Sequence, residues 1–258
     1  MYVPILKTHE LTITFGGLTA VDHVDFAVDA GTVRGLIGPN GSGKSTLINL
    51  LTGFYRPDSG TVEIDGQIVT YDKTHTHVQK GIARTFQHTR IFDGLTVEEN
   101  VMSGCIYQSK AGLMSKILYS GQSRRDYKAN LEKAREILDF MGMSSVAKKN
   151  AGKVPYGEQR FLEIARALAT EPKVLLLDEP AAGMTNQEME HLKLLLDKFR
   201  ERGLAVVLIE HHTALVKSVA DQLTVLNFGK KIADGRPDEV LNDPEVIRAY
   251  LGGDILAG

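Results

Sequence analysis

The chain has 258 residues, 43% of them apolar and 24% charged, the balance of a folded globular protein rather than a disordered or fibrous one. Its 30 basic and 32 acidic side chains leave a formal charge of −2, so no global positive field points to a nucleic-acid partner, and the lone Cys105, read as a core thiol, excludes an internal disulfide framework. No run approaches the roughly 18 to 20 apolar residues needed to cross a bilayer, and the stretch from Met1 to Thr8 lacks the shape of a secretion signal; the chain is expected to stay in the cytoplasm.

Apolar and polar residues alternate through Leu11-Thr12-Ile13-Thr14-Phe15 and Val24-Asp25-Phe26-Ala27-Val28, divided by Gly16-Gly17 and closed by Asp29-Ala30-Gly31, which predicts short antiparallel strands. A buried strand from Val33 to Ile37 then runs into a glycine loop and a helix bearing Leu47, Ile48, Leu50 and Leu51. A second strand pair is expected across Thr61 to Val69, around Asp65-Gly66. From about residue 90 to 170 the pattern is helical: Thr96 and Glu99 form a capping box, and Leu131, Ala134, Leu138 and Met141 keep helical spacing before Gly142. Two compact apolar strands follow, Val174 to Leu177 and Leu204 to Ile209, joined by a helix carrying Leu192, Leu195, Leu196 and Phe199 and stopped by Gly203. The tail reads as a strand from Leu223 to Phe228, a turn at Gly229 and a short helix from Pro244 to Leu251.

The loop Gly38-Pro39-Asn40-Gly41-Ser42-Gly43-Lys44-Ser45-Thr46 fits G-x-x-x-x-G-K-[ST], in which backbone N–H groups surround phosphate oxygens. Lys44 would reach the β- and γ-phosphates, Ser45 would offer its hydroxyl to Mg²⁺, and the following helix would aim its positive end at the anion. Asp178 and Glu179 end an apolar strand, where ligands of parallel sheets bind; Asp178 would hold Mg²⁺ and Glu179 would polarise an attacking water. A small-molecule kinase would use the same loop and Asp178.

Together with Gln87 in Arg84-Thr85-Phe86-Gln87-His88, the run Val154-Pro155-Tyr156-Gly157-Glu158-Gln159-Arg160 before an apolar helix, and His211, these motifs resemble the ATP-binding-cassette family over nearly the whole chain. The resemblance implies an α/β P-loop NTPase: a mixed sheet, an antiparallel β subdomain and an inserted helical subdomain at about residues 90–170, with residues 1–89 and 171–258 forming the nucleotide core. It makes Gln87 the sensor of Mg²⁺ and the attacking water, His211, rather than His212, the contact to the γ-phosphate, and Phe15 the ring stacked on adenine. The family's signature loop corresponds to Pro155, Tyr156, Gly157, Glu158 and Gln159, facing ATP on a partner subunit, and its helix is expected to set Phe161, Ile164, Ala165 and Leu168 on one face. Pro155 replaces the usual serine, Tyr156 a glycine, and Thr185 stands where the family generally has aspartate.

Tyr156, the Arg84 to His88 run, Ala181-Ala182-Gly183-Met184 and Leu208-Ile209-Glu210-His211 look like one branch, the first of two ATPases in branched-chain amino-acid importers. That implies an ATPase using ATP and Mg²⁺, bound peripherally on the cytoplasmic face of the membrane. Its partners would be a second ATPase subunit, two transmembrane permeases and, indirectly, an external substrate-binding protein, with no nucleic acid. Ile91, Phe92, Leu95 and Val97 are the expected permease-contact region. The competing expectations are a soluble cassette ATPase acting in assembly or on nucleic acid, and a cassette for urea or amide import or lipid export.

Overall fold

The computed structural model describes residues 4–87, 89–105 and 121–255; His88, part of the run noted above, lies outside the described residues. The chain opens with a hairpin of β1 (Leu6–Phe15) and β2 (Leu18–Val28) turning through Gly16 and Gly17, both at positive φ as a two-residue turn requires. These strands are 10 and 11 residues long, not short. Register shifts between Thr8 and Leu11 and again between Leu11 and Thr14, with Glu10 and His23 in left-handed backbone, break the alternation into pieces that read as separate strands.

β3 (Val33–Ile37) leads through the glycine loop into α1 (Lys44–Leu51), which buries Leu47, Ile48, Leu50 and Leu51. β4 (Ser59–Ile64) and the two-residue β5 (Gln67–Ile68) form the second hairpin, followed by α2 (Thr74–Gln79) and β6 (Ile82–Arg84). Then come α3 (Val97–Cys105), α4 (Gly121–Phe140), α5 (Tyr156–Leu168), β7 (Val174–Asp178), α6 (Asn186–Glu201) and β8 (Ala205–Ile209). The chain continues through α7 (Thr213–Val219), β9 (Gln222–Asn227), β10 (Lys230–Gly235), α8 (Pro237–Leu241) and α9 (Pro244–Ile255).

The described residues form two compact units. One comprises Met1–Arg84, Lys173–Ala181 and Glu190–Gly258; the other comprises Thr85–Pro172 and Ala182–Met189. The first holds a four-stranded antiparallel sheet, β2-β1-β4-β5, and a six-stranded mixed sheet, β10-β9-β3-β8-β7-β6, in which only β10 runs antiparallel to its neighbour. Every residue of β7 and β8 is buried, as in parallel strands covered on both faces. Its core joins Leu11, Val24 and Phe26 of the antiparallel sheet, Leu47 and Leu51 of α1, and Leu36, Leu176 and Val207 of the mixed sheet.

The second unit is helical. Thr96 and Glu99 close the expected capping box, with Thr96 N–H donating to Glu99 Oε2 at 2.8 Å and Glu99 N–H donating back to Thr96 Oγ1 at 3.3 Å. Ala134, Leu138 and Met141 are buried, while Leu131 is half-buried. α5 buries Phe161, Ile164 and Ala165 as expected, but Leu168 is only half-buried, and Arg160 and Glu163 lie inside instead. Cys105 is a buried thiol, and burial pushes it above its ordinary value.

Candidate active site

In the first unit the strand order sets β8 between β3 and β7, with Leu36, Ile209 and Asp178 in register. The carboxyl ends of three parallel strands therefore arrive at one level, where open α/β sheets bind ligands. The loop leaving β3 starts at Gly38, φ +153°, where a Cβ would come within 2.2 Å of Leu226 O and 2.6 Å of Ser42 Oγ. Only glycine fits there. Pro39 and Gly43 are half-buried, Asn40 and Gly41 are exposed, and Ser42 is buried with its hydroxyl lacking a partner among the described residues.

Lys44 opens α1 and is buried; its Nζ donates to Gly38 O at 2.7 Å and Pro39 O at 3.0 Å. Burial lowers its ammonium from the ordinary 10.5, opposed by the Glu179 and Asp178 carboxylates. Ser45 is exposed and Thr46 half-buried in the first turn, whose N–H groups have no intrahelical acceptors. Phe15 is 44% exposed rather than core and meets Tyr55 edge-to-face, centroids 5.3 Å apart.

Asp178 is buried and accepts Arg84 Nη2 at 2.8 Å, while Arg84 Nη1 donates to Asn49 Oδ1 at 2.6 Å. Glu179 follows in left-handed backbone, φ +49°, its N–H donating to Ile209 O at 2.9 Å. This turn sets Glu179 Oε1 2.8 Å from His211 Nε2, which assigns a proton to that nitrogen. His212 occupies the N-cap position of α7. Between them in the chain, Glu210 is buried: Oε1 accepts the Ala181 N–H at 2.8 Å and Oε2 the His211 N–H at 3.2 Å. Burial raises the Glu210 carboxyl, opposed by backbone N–H groups of Ala181, His212 and His211.

Gln87 and the glycine-bearing helix start belong to the second unit. The Gln87 side chain is exposed and its carbonyl accepts Arg160 Nη2 at 2.6 Å. Pro155 holds the N-cap position of α5 without a side-chain cap, Tyr156 is 47% exposed, and Gln159 Nε2 donates to Val154 O at 3.0 Å. Gly157 is buried; a Cβ there would lie 1.8 Å from Glu188 Oε1, a side chain held by a capping box with Thr185. Glu158 is half-buried, with Oε2 enclosed.

A model of the ABC transporter family matches residues 21–182. The chain belongs to the ABC transporter family. A second model, described as branched-chain amino acid ATP-binding cassette transporter, matches residues 230–255. The chain is 40% identical over 250 residues to the high-affinity branched-chain amino acid transport ATP-binding protein BraF of Pseudomonas aeruginosa, covering 96% of this chain and 98% of that one. It is likewise 40% identical over 253 residues to the LivG protein of the same description from Escherichia coli, covering 98% and 99%. Among solved structures it resembles a nucleotide-free ATP-binding cassette from an ABC transporter, with TM-score 0.84 and 34% identity over 96% of this chain and 99% of that one. The ADP conformation of such a cassette gives the same TM-score and identity over 97% and 99%.

For an ABC transporter cassette, the donor set suits Mg²⁺. Ser45 and Asp178 supply hard oxygen ligands, and the described residues contain no cluster of three or more His, Cys, Asp or Glu that would form an all-protein cage. The enclosed Ser42 hydroxyl similarly suits a phosphate oxygen.

Sequence reading assigned no role to Arg84, Glu210, Arg160 or Glu163. The available signal at Glu210 was a charge directly after the apolar run Ala205 to Ile209; at Arg160 and Glu163 nothing marked the charges as interior. In the expected permease-contact region Phe92 and Leu95 are 52% and 38% exposed, and Ile91 is half-buried. Val97 is fully buried because it opens α3 facing the core.

Proposed function

We propose that this chain binds and hydrolyses MgATP as one of two cassettes that energise import of branched-chain or similar hydrophobic amino acids through separate membrane permeases. The observation that carries the reaction is the convergence of Lys44, Asp178, Glu179 and His211 at the carboxyl ends of neighbouring parallel strands. The solute class rests on the 40% identity to BraF and LivG over nearly the whole chain and on the match at residues 230–255. No helix among the described residues is long and apolar enough to cross a membrane, which suits a peripheral subunit at the cytoplasmic face.

In the proposed cycle Lys44 exchanges the carbonyls of Gly38 and Pro39 for phosphate oxygens, while the N–H groups of residues 41–46 enclose the β-phosphate. Phe15 stacks on the adenine. Ser45, Asp178 and Gln87 are the residues that would hold Mg²⁺, which when bound would supply neutralising positive charge to the phosphates. Glu179 orients the attacking water and takes its proton, and His211 donates from Nε2 toward the γ-phosphate. The loop from Pro155 to Gln159 faces the ATP of the second cassette.

The test is to tag the chain, solubilise membranes gently with ATP present, and identify what copurifies. Two multispan permeases with a second cassette are expected, and the associated external binding protein should retain branched-chain amino acids. Recovery of soluble partners alone would refute the transport role.

A further inference from the structure

Arg160 lies in the second turn of α5 and is 4% exposed. Its Nη1 donates to Phe86 O at 3.0 Å and its Nη2 to Gln87 O at 2.6 Å, so one guanidinium spans two successive carbonyls. The neighbouring Glu163, 3% exposed, accepts the Arg90 N–H on Oε1 at 2.6 Å. α5 thus grips the segment from Phe86 to Arg90 at three backbone points. The two side chains face each other at 3.8 Å. On its other side, the Arg160 guanidinium lies 5.2 Å from the centre of the Tyr156 ring at the helix start.

Enclosing a guanidinium is costly unless its donors are used. Here the two terminal nitrogens are spent on main-chain oxygens of the glutamine segment, not on a bidentate carboxylate, and Nε is enclosed without an acceptor among the described residues. A planar fork meets two adjacent carbonyls with separate nitrogens held in one plane, whereas a lysine has to serve both from a single freely rotating ammonium. The stack on Tyr156 engages the same group from the signature side.

We infer that Arg160 is a positioning residue for hydrolysis: it locks the main chain at Gln87 to the signature helix, so a shift at Gln87 is carried to Tyr156 within one subunit. This rests on the proposed role of Gln87 as sensor of Mg²⁺ and water. Through Arg160 the loop serving the chain's own nucleotide and the loop facing the partner's move as one body. Tyr156, in place of the family's usual glycine, supplies the surface for the stack.

The test is MgATP hydrolysis by the assembled transporter carrying Arg160→Met, which keeps length and apolar stem but loses all donors. The expected result is a kcat lower by about tenfold with the KM for ATP within about twofold, since the donors act on the reaction rather than on binding. Arg160→Lys should restore part of the rate. In a Gln87→Ala background, Arg160→Met should produce no further loss, because both changes disable one unit. A wild-type kcat for Arg160→Met, or losses that multiply in the double variant, overturns the inference. If Gln87→Ala alone retains full activity, it is the reading of Gln87 that fails; if Gln87→Ala is impaired and Arg160→Met is not, only the role of Arg160 falls. Should Arg160→Met not fold, Arg160→Lys carries the test: kcat reduced about threefold supports the inference, and an unchanged kcat overturns it.

Discussion

Glu179 occupies left-handed backbone at φ +49°, a conformation that costs a residue with a Cβ on the order of 1 kcal/mol and persists only where its surroundings enforce it. The enforcement is visible. Its N–H is tied to Ile209 O, and the next two residues carry the chain to Ala181, whose N–H is held by the Glu210 carboxylate. Glu210 also holds the His211 N–H, so one buried carboxylate fixes both sides of the Glu179–His211 contact. Arg84 does the equivalent for Asp178, balancing its charge and bracing it against Asn49 of α1. Glu179→Gln keeps the side-chain volume and a hydrogen bond to His211 but cannot accept a proton from water. It is expected to bind ATP normally and to lose at least about 10²-fold in turnover. ATP-dependent closed dimers should accumulate, measured by light scattering on the purified chain; undiminished hydrolysis would remove Glu179 from its assigned role.

At the scale of elements, α1 and α5 both present the N–H groups of a first turn, but they begin differently. α1 starts from Gly43 in left-handed backbone, with Lys44 filling the loop behind it. α5 starts from Pro155, which offers no side-chain acceptor, and nearby Gln159 Nε2 turns back to donate to Val154 O. Pro155→Ser supplies the missing hydroxyl at the N-cap. It is expected to stabilise the chain by about 0.5 to 1 kcal/mol, seen as a higher melting temperature, and to raise ATP hydrolysis of the paired cassettes. An unchanged rate in the assembled pair would show that the hydroxyl does not limit turnover. Thr185 has a comparable element-level role: it forms a capping box with Glu188 at the start of α6, which gives the residue standing in place of aspartate a structural duty of its own.

The whole molecule carries a pH dependence through a group to which the reaction assigns no role. His77 is fully buried, with Nδ1 donating to Leu51 O at 2.9 Å and Nε2 enclosed without a partner among the described residues. Burial lowers it below its ordinary 6.5, so the folded chain keeps it neutral where the unfolded chain would take up a proton. The sign follows: stability is retained above about 6.5 and lost progressively as pH falls below it. Glu163 and Glu210, raised by burial, act in the opposite sense, gaining stability as pH falls. The comparison must therefore be differential. His77→Asn retains a donor near the Nδ1 position and cannot titrate, so its melting temperature should drop less than that of the native chain between about pH 7.5 and pH 5.5. Parallel melting curves for the two proteins would exclude His77 as the source.

Composition, period-two and period-3.6 patterning and the contiguous glycine loop determine the class of fold, because each is a local property of the chain: turn residues, strand alternation and the G-x-x-x-x-G-K-[ST] spacing need no distant partner to be legible. The strand after Gly229 and the short β6 and α7 carry too little pattern to be read, and they form because the sheet and its cover demand them. The tertiary structure alone decided which carboxylates meet which cations. Asp178 and Arg84 are separated by 94 residues, and Glu179 and His211 by 32. Register between parallel strands, a long-range property, brings them together. It likewise decided that Arg160 and Glu163 lie inside. A helix surface rich in charge reads as solvent-facing until the main chain it grips, more than 70 residues away in sequence, is in place.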